Sequence, residues 1–160
     1  METMQEDKAG ERKEQEGDYV EAIELYLKAE MPKKASRTLL KETSLLQDEL
    51  LIGKVAGALG KGGQMELAGD LWSRVSRQDK ALECYKKGGA FSKAVQICRD
   101  TKPTDVVKLE GEWAEYLMTQ RQFDAAISHF IEAGHTSRAL EASVKAGQWR
   151  KAKQIIEVCT

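Results

Sequence analysis

The amino-acid sequence predicts an all-α fold, a helical-repeat solenoid of about eleven antiparallel helices that fills residues 1–160 as a single domain. Three observations support this fold class. Alanines recur at a spacing of 13 residues, two longer segments carry apolar residues at helical spacing, and glycines stand where those helices would have to end. No strand pattern competes, so we expect more than about two-thirds of the chain to be helical, well above the usual share.

The repeated alanines, called the ladder alanines below, are the strongest of these signals. They are Ala22, Ala35, Ala68, Ala81, Ala94, Ala126, Ala139 and Ala152. Within each of three groups the step is 13 residues, and a bulky residue usually follows four positions later, as Tyr26 follows Ala22. A step of this length accommodates a helix of about two and a half turns and a tight connection. A small residue lets helix axes approach closely, so each ladder alanine is predicted to lie between helices.

Two longer segments separate the three groups of ladder alanines. Ser44–Leu59 and Thr104–Gln120 both place apolar residues on one helical stripe, so each is predicted to be a long helix. Each is followed by a ladder helix. We therefore expect helical hairpins from about residue 50 to 75 and from about residue 108 to 133.

Local signals mark where the predicted helices begin and end. Asp18-x-x-Glu21 and Ser44-x-x-Gln47 have the pattern of a capping box, and Pro32 and Pro103 suit a first helical turn. Glycines supply the left-handed residue that a sharp stop requires. Those at predicted helix ends are Gly17, Gly63, Gly88, Gly134 and Gly147.

Charge and composition exclude several classes of function. The 25 basic and 26 acidic residues are mixed along the chain, so the sequence shows no basic footprint for nucleic acid. Its uncharged stretches are far too short to insert into a bilayer. Three cysteines without a close pair, Cys84, Cys98 and Cys159, indicate reduced thiols in the cytoplasm.

Histidine, tryptophan and cysteine often act in binding or catalysis, but in this sequence a structural role is the better interpretation. His129 and His135 lack the clustered partners of a zinc site, and His129 is expected on an exposed helix face. The three tryptophans are expected in the core more than as partner anchors, and the three cysteines in the core more than as redox sensors. The tryptophans are Trp72, Trp113 and Trp149.

No motif indicates catalysis or a cofactor. Gly60–Gly63 has the composition of a phosphate loop but neither its spacing nor a preceding strand, so it is interpreted as a helix connection. No nucleophile is accompanied by a recognisable base. We expect a protein that is not an enzyme and that holds no cofactor, metal or small-molecule substrate.

The small and aromatic positions of the two hairpins resemble the tetratricopeptide repeat, although the spacing of about 34 residues is missing. Ala56, Ala68 and Trp72 carry this resemblance in the first hairpin, and Gly10 is the one glycine expected at a small first-helix position. The mixture of hairpins and short ladder helices is similar to the repeats of intraflagellar transport and coatomer subunits.

Three stretches resemble more closely the family of the largest subunit of the intraflagellar transport B complex. They are Gly17–Tyr26, Phe123–Gly134 and Gln148–Ala152. Members of that family carry propellers ahead of a long repeat array, so the resemblance implies a piece of the C-terminal array. The chain ends agree with this expectation. Residues 1–16 have almost no apolar stripe and are expected to be poorly anchored as a helix, whereas Ile155, Ile156, Val158 and Cys159 are expected to leave an apolar face uncovered.

The resemblance implies a non-catalytic protein–protein scaffold of the intraflagellar transport B train, needed for cilium assembly and ciliary cargo transport. Its partners would be other intraflagellar transport subunits, met in the cilium, at the ciliary base and in the cytoplasm. The family's usual groove places partner contacts at Lys108, Glu115 and Met118 on the first helix of the second hairpin. A coatomer-type vesicle-coat subunit and a regulatory tetratricopeptide binding module are the alternatives.

Overall fold

The structure is a computed structural model that describes residues 2–159, with side chains from residue 4 to residue 158. Within this described range the chain forms eleven α-helices and no strand, and it is 83% helical, so the predicted all-α helical-repeat solenoid is confirmed. The helices are α1 Glu2–Gln15, α2 Tyr19–Lys28, α3 Pro32–Lys41, α4 Glu49–Lys61, α5 Met65–Arg74, α6 Gln78–Lys87, α7 Phe91–Thr101, α8 Val106–Thr119, α9 Phe123–Glu132, α10 Thr136–Lys145 and α11 Trp149–Cys159.

The ladder alanines hold neighbouring helices together, as their spacing predicts. Seven of the eight have no exposed surface, and Ala152 is 5% exposed. The bulky residue four positions later is buried in most copies, including Tyr26, Trp72 and Phe130, but Ile156 is half exposed. An alanine at a helix crossing leaves room for the large side chains beside it, which explains the pairing of small and bulky residues.

The regular step between ladder alanines arises from one repeated corner. After α9, Gly134 has a φ of 74°, and the amide of His135 donates to the carbonyl of Phe130 at 2.8 Å. The carbonyl of His135 then accepts from the amide of Ala139 at 3.0 Å, which begins α10. This left-handed corner ends one helix and starts the next with almost no intervening chain. Gly63, with a φ of 76°, forms the same corner after α4, so Gly60–Gly63 is a helix connection as predicted.

The chain divides into two compact units, Met1–Ala90 with α1–α6 and Phe91–Thr160 with α7–α11. In the first unit α1 is well anchored, contrary to expectation. Gly10 is buried so close to Tyr26 that an added Cβ would lie 2.9 Å from the ring, and the Tyr26 hydroxyl donates to Glu14 at 2.7 Å. The amine of Lys34 donates to Asp7 at 2.6 Å. Polar contacts and one glycine thus replace the missing apolar stripe.

In the second unit the core lies where α8, α9 and α10 meet. The buried cluster consists of Ala114, Leu117, Ala126, Ile127, Phe130, Ala139 and Ala142, and Trp113, Met118 and Ile155 pack against it. Both predicted hairpins are present, as α4 with α5 and as α8 with α9.

Several local predictions are wrong. Thr43–Gln47 is a 3₁₀ segment, and α4 is capped by Asp48, which accepts from the amide of Leu51 at 3.2 Å. Ser44 therefore does not cap a long helix, because the aspartate next to the first helical turn takes that role. The left-handed residue after α6 is Gly89, with a φ of 74°, where Gly88 was predicted.

Glycines other than Gly10 also lie at close contacts between helices. An added Cβ at Gly69 would lie 2.6 Å from the Tyr85 ring, and one at Gly111 would lie 2.8 Å from the His135 ring. At Gly69 the close approach of the buried Tyr85 ring requires glycine, which a spacing pattern based on alanine does not detect.

We expect Ala126→Leu to destabilise the chain by about 1–3 kcal/mol, because the buried site has no room for a larger side chain. Ala125→Leu is the matched control. Ala125 is the exposed neighbour on the same helix, where leucine costs only a few tenths of a kcal/mol. Urea unfolding followed by circular dichroism measures both. Equal midpoints for the two variants would contradict the interhelical position of Ala126.

Gly57→Ala and Gly69→Ala are expected to change stability in opposite directions. A Cβ at Gly57 meets nothing within 4 Å, so alanine there gains about 1 kcal/mol of helix propensity. A Cβ at Gly69 would strike the buried Tyr85 ring, so alanine there costs about 1–3 kcal/mol despite the same propensity gain. Thermal melting of the two variants beside the parent chain tests this difference in sign.

Candidate protein-binding groove

An open groove of about 580 Å³ lies in the second unit, on the side of the core where α8 and α10 face each other. We call it the α8–α10 groove. Its lining residues are Glu115, Met118, Thr119, Arg121, Phe123, Arg138 and Lys145. They come from the last turns of α8, the corner after it, the first residue of α9, and α10. The tight corner between α8 and α9 therefore brings the end of one helix and the start of the next to the same surface.

Two of the three predicted partner-binding residues lie in this groove. Glu115 is exposed on its wall, and Met118 is half-buried because it also packs against the core cluster. Lys108 is exposed on α8 but does not line the groove, since it lies about two helical turns before Glu115. Partner binding at these three residues stays a prediction.

Arg138 is the central charged residue of the groove. Its guanidinium donates from Nε to Oε1 of Glu115 at 2.8 Å and from a second nitrogen to Oε2, and it also donates to Glu141. This bidentate contact holds the planar guanidinium in one orientation, which the single ammonium group of a lysine would not do. The side chain also lies over the Phe130 ring, 5.4 Å from the ring centroid. The groove wall is thus attached to the core by both charge and packing.

The pKa values of the acids agree with this geometry. Hydrogen bonds from Arg138 lower the pKa of Glu115 below its ordinary value. The pKa of Glu141 is lowered first by Lys145, whose amine lies 3.0 Å from its carboxylate, and then by Arg138. The same two acids raise the pKa of Arg138. Both carboxylates are therefore ionised at neutral pH and are already paired with cations.

Arg121 differs from the other two cations of the groove. It occupies the left-handed corner between α8 and α9 with a φ of 59°, a conformation that costs a residue with a Cβ about 1 kcal/mol or more. Its amide donates to the carbonyl of Met118 at 3.1 Å. Within the described residues its guanidinium has no hydrogen-bond or ion-pair partner. The groove thus has an apolar floor of Met118 and Phe123, two paired cations and one unpaired cation.

Sequence reasoning missed the cations of this groove, although a signal for them exists. Ion pairs between a helix and its second neighbour recur in both units, as in Asp7–Lys34, Glu49–Arg77 and Asp124–Lys151. In each of these the acid lies on the earlier helix, and the base lies on the second helix after it or at the N-cap of that helix. Glu115 and Arg138 follow the same order. A search for acid–base pairs at about two helical steps would have identified Arg138.

His129 corrects a further expectation, because it does not lie on an exposed helix face. Its Nδ1 lies 2.6 Å from Oε2 of Glu110, and its ring stacks on Trp113 with centroids 3.8 Å apart. The Glu110 side chain is only 10% exposed, so its carboxylate depends on His129 for a hydrogen bond. A carboxylate this deep is costly without a partner. The pair therefore joins α8 to α9 inside the hairpin.

The remaining candidate residues divide between core and surface. Trp72 is buried and Trp113 is half-buried against the core, as predicted, but Trp149 is 66% exposed, so its assignment to the core is wrong. Cys98 is buried, and burial raises the pKa of the half-buried Cys84 thiol. The side chain of Cys159 lies outside the described residues.

The described residues, 2–159, contain neither a cluster of metal-ligating side chains nor a helix suited to span a membrane. No group of three or more histidine, cysteine, aspartate or glutamate side chains comes together as a metal site would require. No helix there combines the length and hydropathy that a membrane span needs.

We expect His129→Leu to destabilise the chain by about 1–3 kcal/mol, since it leaves the buried carboxylate of Glu110 without its donor. Adding Glu110→Leu should restore part of that loss, because the orphaned charge is removed. His129→Gln keeps a donor and should cost less than His129→Leu. Urea unfolding of the two single leucine variants and of the double variant measures the coupling. Additive losses would show that the two side chains do not interact.

Comparison with known proteins gives relatives along nearly the whole chain. No family model matches the sequence. The chain is 48% identical over 158 residues to proteins named intraflagellar transport protein 172 homolog in Danio rerio and in Homo sapiens. It is 42% identical over 158 residues to intraflagellar transport protein 172 of Chlamydomonas reinhardtii.

These alignments cover 99% of this chain but only 9% of each of those three proteins. The chain therefore spans about a tenth of the length of the relatives it matches. The relatives from a fish, from human and from a green alga are all at least 42% identical to this chain, and each alignment includes nearly all of it. The chain belongs to the family of intraflagellar transport protein 172 and corresponds to one segment of those longer proteins.

Proposed function

We propose that this chain is a non-catalytic protein–protein interaction scaffold of the intraflagellar transport B train, acting in cilium assembly and ciliary cargo transport. It works in the cilium, at the ciliary base and in the cytoplasm, and its partners are other subunits of the train. The observation that carries the proposal is the 40–48% identity, over nearly the whole chain, to proteins named for intraflagellar transport. Those names describe transport proteins, which supports a non-catalytic role.

The helical-repeat architecture supports a scaffold on physical grounds. Each ladder helix packs on its neighbours through a buried alanine, so neighbouring helices form a continuous stack within each unit. The outer positions of the helices are then available for contact with other proteins. The face of α8 that carries Lys108, Glu115 and Met118 is the proposed contact surface, and the α8–α10 groove adjoins it.

The test offers the purified chain as bait to recombinant subunits of the intraflagellar transport B complex and measures retention. Exchanging the charges, Lys108→Glu with Glu115→Lys, should lower retention. It should cost about 1 kcal/mol or less in stability, because both side chains are exposed and the broken Glu115–Arg138 pair lies at the surface. Melting temperature separates the two effects.

The matched control exchanges Glu83 and Lys87, an exposed ion pair of 2.9 Å on α6, and should leave retention unchanged. Ala139→Pro should abolish both folding and retention, since proline inside α10 costs about 3 kcal/mol or more. A chain that retains no train subunit, or that turns over a substrate, would refute the scaffold. Recovery of vesicle-coat proteins without train subunits would favour the coat alternative.

A further inference from the structure

We infer that the α8–α10 groove binds an acidic segment of a partner protein, with a carboxylate on Arg121 and an apolar side chain on the floor formed by Met118 and Phe123. This inference rests on the proposed scaffold function and names the chemistry of one of its partners. Charge complementarity is the main argument. Three of the seven lining residues are cations and only Glu115 is an acid.

The three cations are not equivalent, and the difference locates the contact. Arg138 already binds Glu115 and Glu141, and Lys145 shares Glu141 at 3.0 Å. Arg121 has no such carboxylate within the described residues. A guanidinium offers two parallel donors to an incoming carboxylate, so Arg121 is the point where an acidic ligand gains most.

The backbone of Arg121 supplies a second, independent argument. The equivalent corners after α4, α9 and α10 carry glycine, namely Gly63, Gly134 and Gly147, which adopts a positive φ at no steric cost. An arginine with a φ of 59° is strained there, which makes this corner a candidate for function. Glu30 and Ser76 also have positive φ, but neither lines this groove.

One surface of the first unit has a different arrangement of charges. Between α1 and α3, Lys34 is paired with Asp7 at 2.6 Å and with Glu11 at 3.2 Å, and Lys41 is paired with Glu14. There the chain's own acids occupy the cations. In the α8–α10 groove an equivalent acid is missing opposite Arg121 among the described residues, and a partner's carboxylate would take that place.

The groove favours a protein segment over other anionic ligands. A volume of about 580 Å³ accommodates a few side chains, and the half-buried Met118 and Phe123 suit an apolar anchor. Nucleic acid binds through several phosphate contacts, whereas within the described residues only one cation of this groove has no carboxylate partner.

The decisive variant is Arg121→Gly in the 160-residue chain. It should melt at the same temperature as the parent or higher, because glycine relieves the strained corner. The probe is a fluorescent peptide of about twelve residues with glutamates around a central pair of leucines, and anisotropy measures its affinity. Arg121→Gly should weaken binding about tenfold or more, since a charge-assisted hydrogen bond is lost. Arg121→Lys should restore part of the affinity.

Ser76→Gly is the matched control, because it relieves the same strain at a corner that does not line the groove. It should leave the affinity unchanged. A peptide with glutamine in place of glutamate should bind the parent chain and the Arg121→Gly variant equally weakly. Equal affinity of the parent and Arg121→Gly for the acidic peptide would overturn the inference. So would Arg121-dependent binding of single-stranded poly(U) RNA or of anionic phosphatidylserine vesicles without binding of the peptide.

Retention of train subunits separates this inference from the proposed function. If the parent chain retains subunits and Arg121→Gly retains them equally, with no loss of peptide affinity, the groove is wrong and the scaffold stands. If the parent chain binds the acidic peptide through Arg121 but retains no subunit, the groove chemistry is correct and the intraflagellar transport role fails.

Discussion

Close approach of helices at the ladder alanines is the constraint on which the rest of the structure depends. A helix that meets its neighbour through a methyl group brings the two backbones near enough for one bulky residue per helix to fill the remaining space. Ala126 with Phe130 shows this in the second unit, and Ala22 with Tyr26 shows it in the first. Where even a methyl group is too large, as at Gly69 beside Tyr85, the chain uses glycine.

The short corner between helices makes this contact recur at a regular interval along the chain. A short helix, a left-handed residue and a cap together make one step of the ladder, so each new alanine takes the same place in its helix as the last. Because the corner is short, the last turn of one helix and the first turn of the next lie side by side. The α8–α10 groove is a direct result, since its lining residues come from both sides of the corner at Arg121.

The ion pairs between helices follow a consistent order along the chain. Acids of one helix meet bases of the second helix after it, as in Glu115–Arg138 and Asp124–Lys151. Surface pairs of this kind contribute little stability individually, but they disfavour helices stacked out of order. Arg121 is outside this arrangement because, within the part of the chain that the structure describes, its charge has no acid opposite it. The proposed preference of the groove for an acidic ligand rests on that cation, and not on the general charge balance.

The sequence alone determined the all-α class, the regular step of the ladder and the burial of all eight ladder alanines, because helix period and residue size are local properties. It also placed Glu115 and Met118 on a common face. Only the tertiary structure decided that His129 pairs with the buried Glu110, that Trp149 is exposed, and that Arg138 and Arg121 border one groove. These outcomes depend on contacts between separate helices, adjacent ones for His129 and Glu110 and second neighbours for the groove. Spacing along a single helix carries no information on that, so contacts between separate helices emerge only when the repeat is folded.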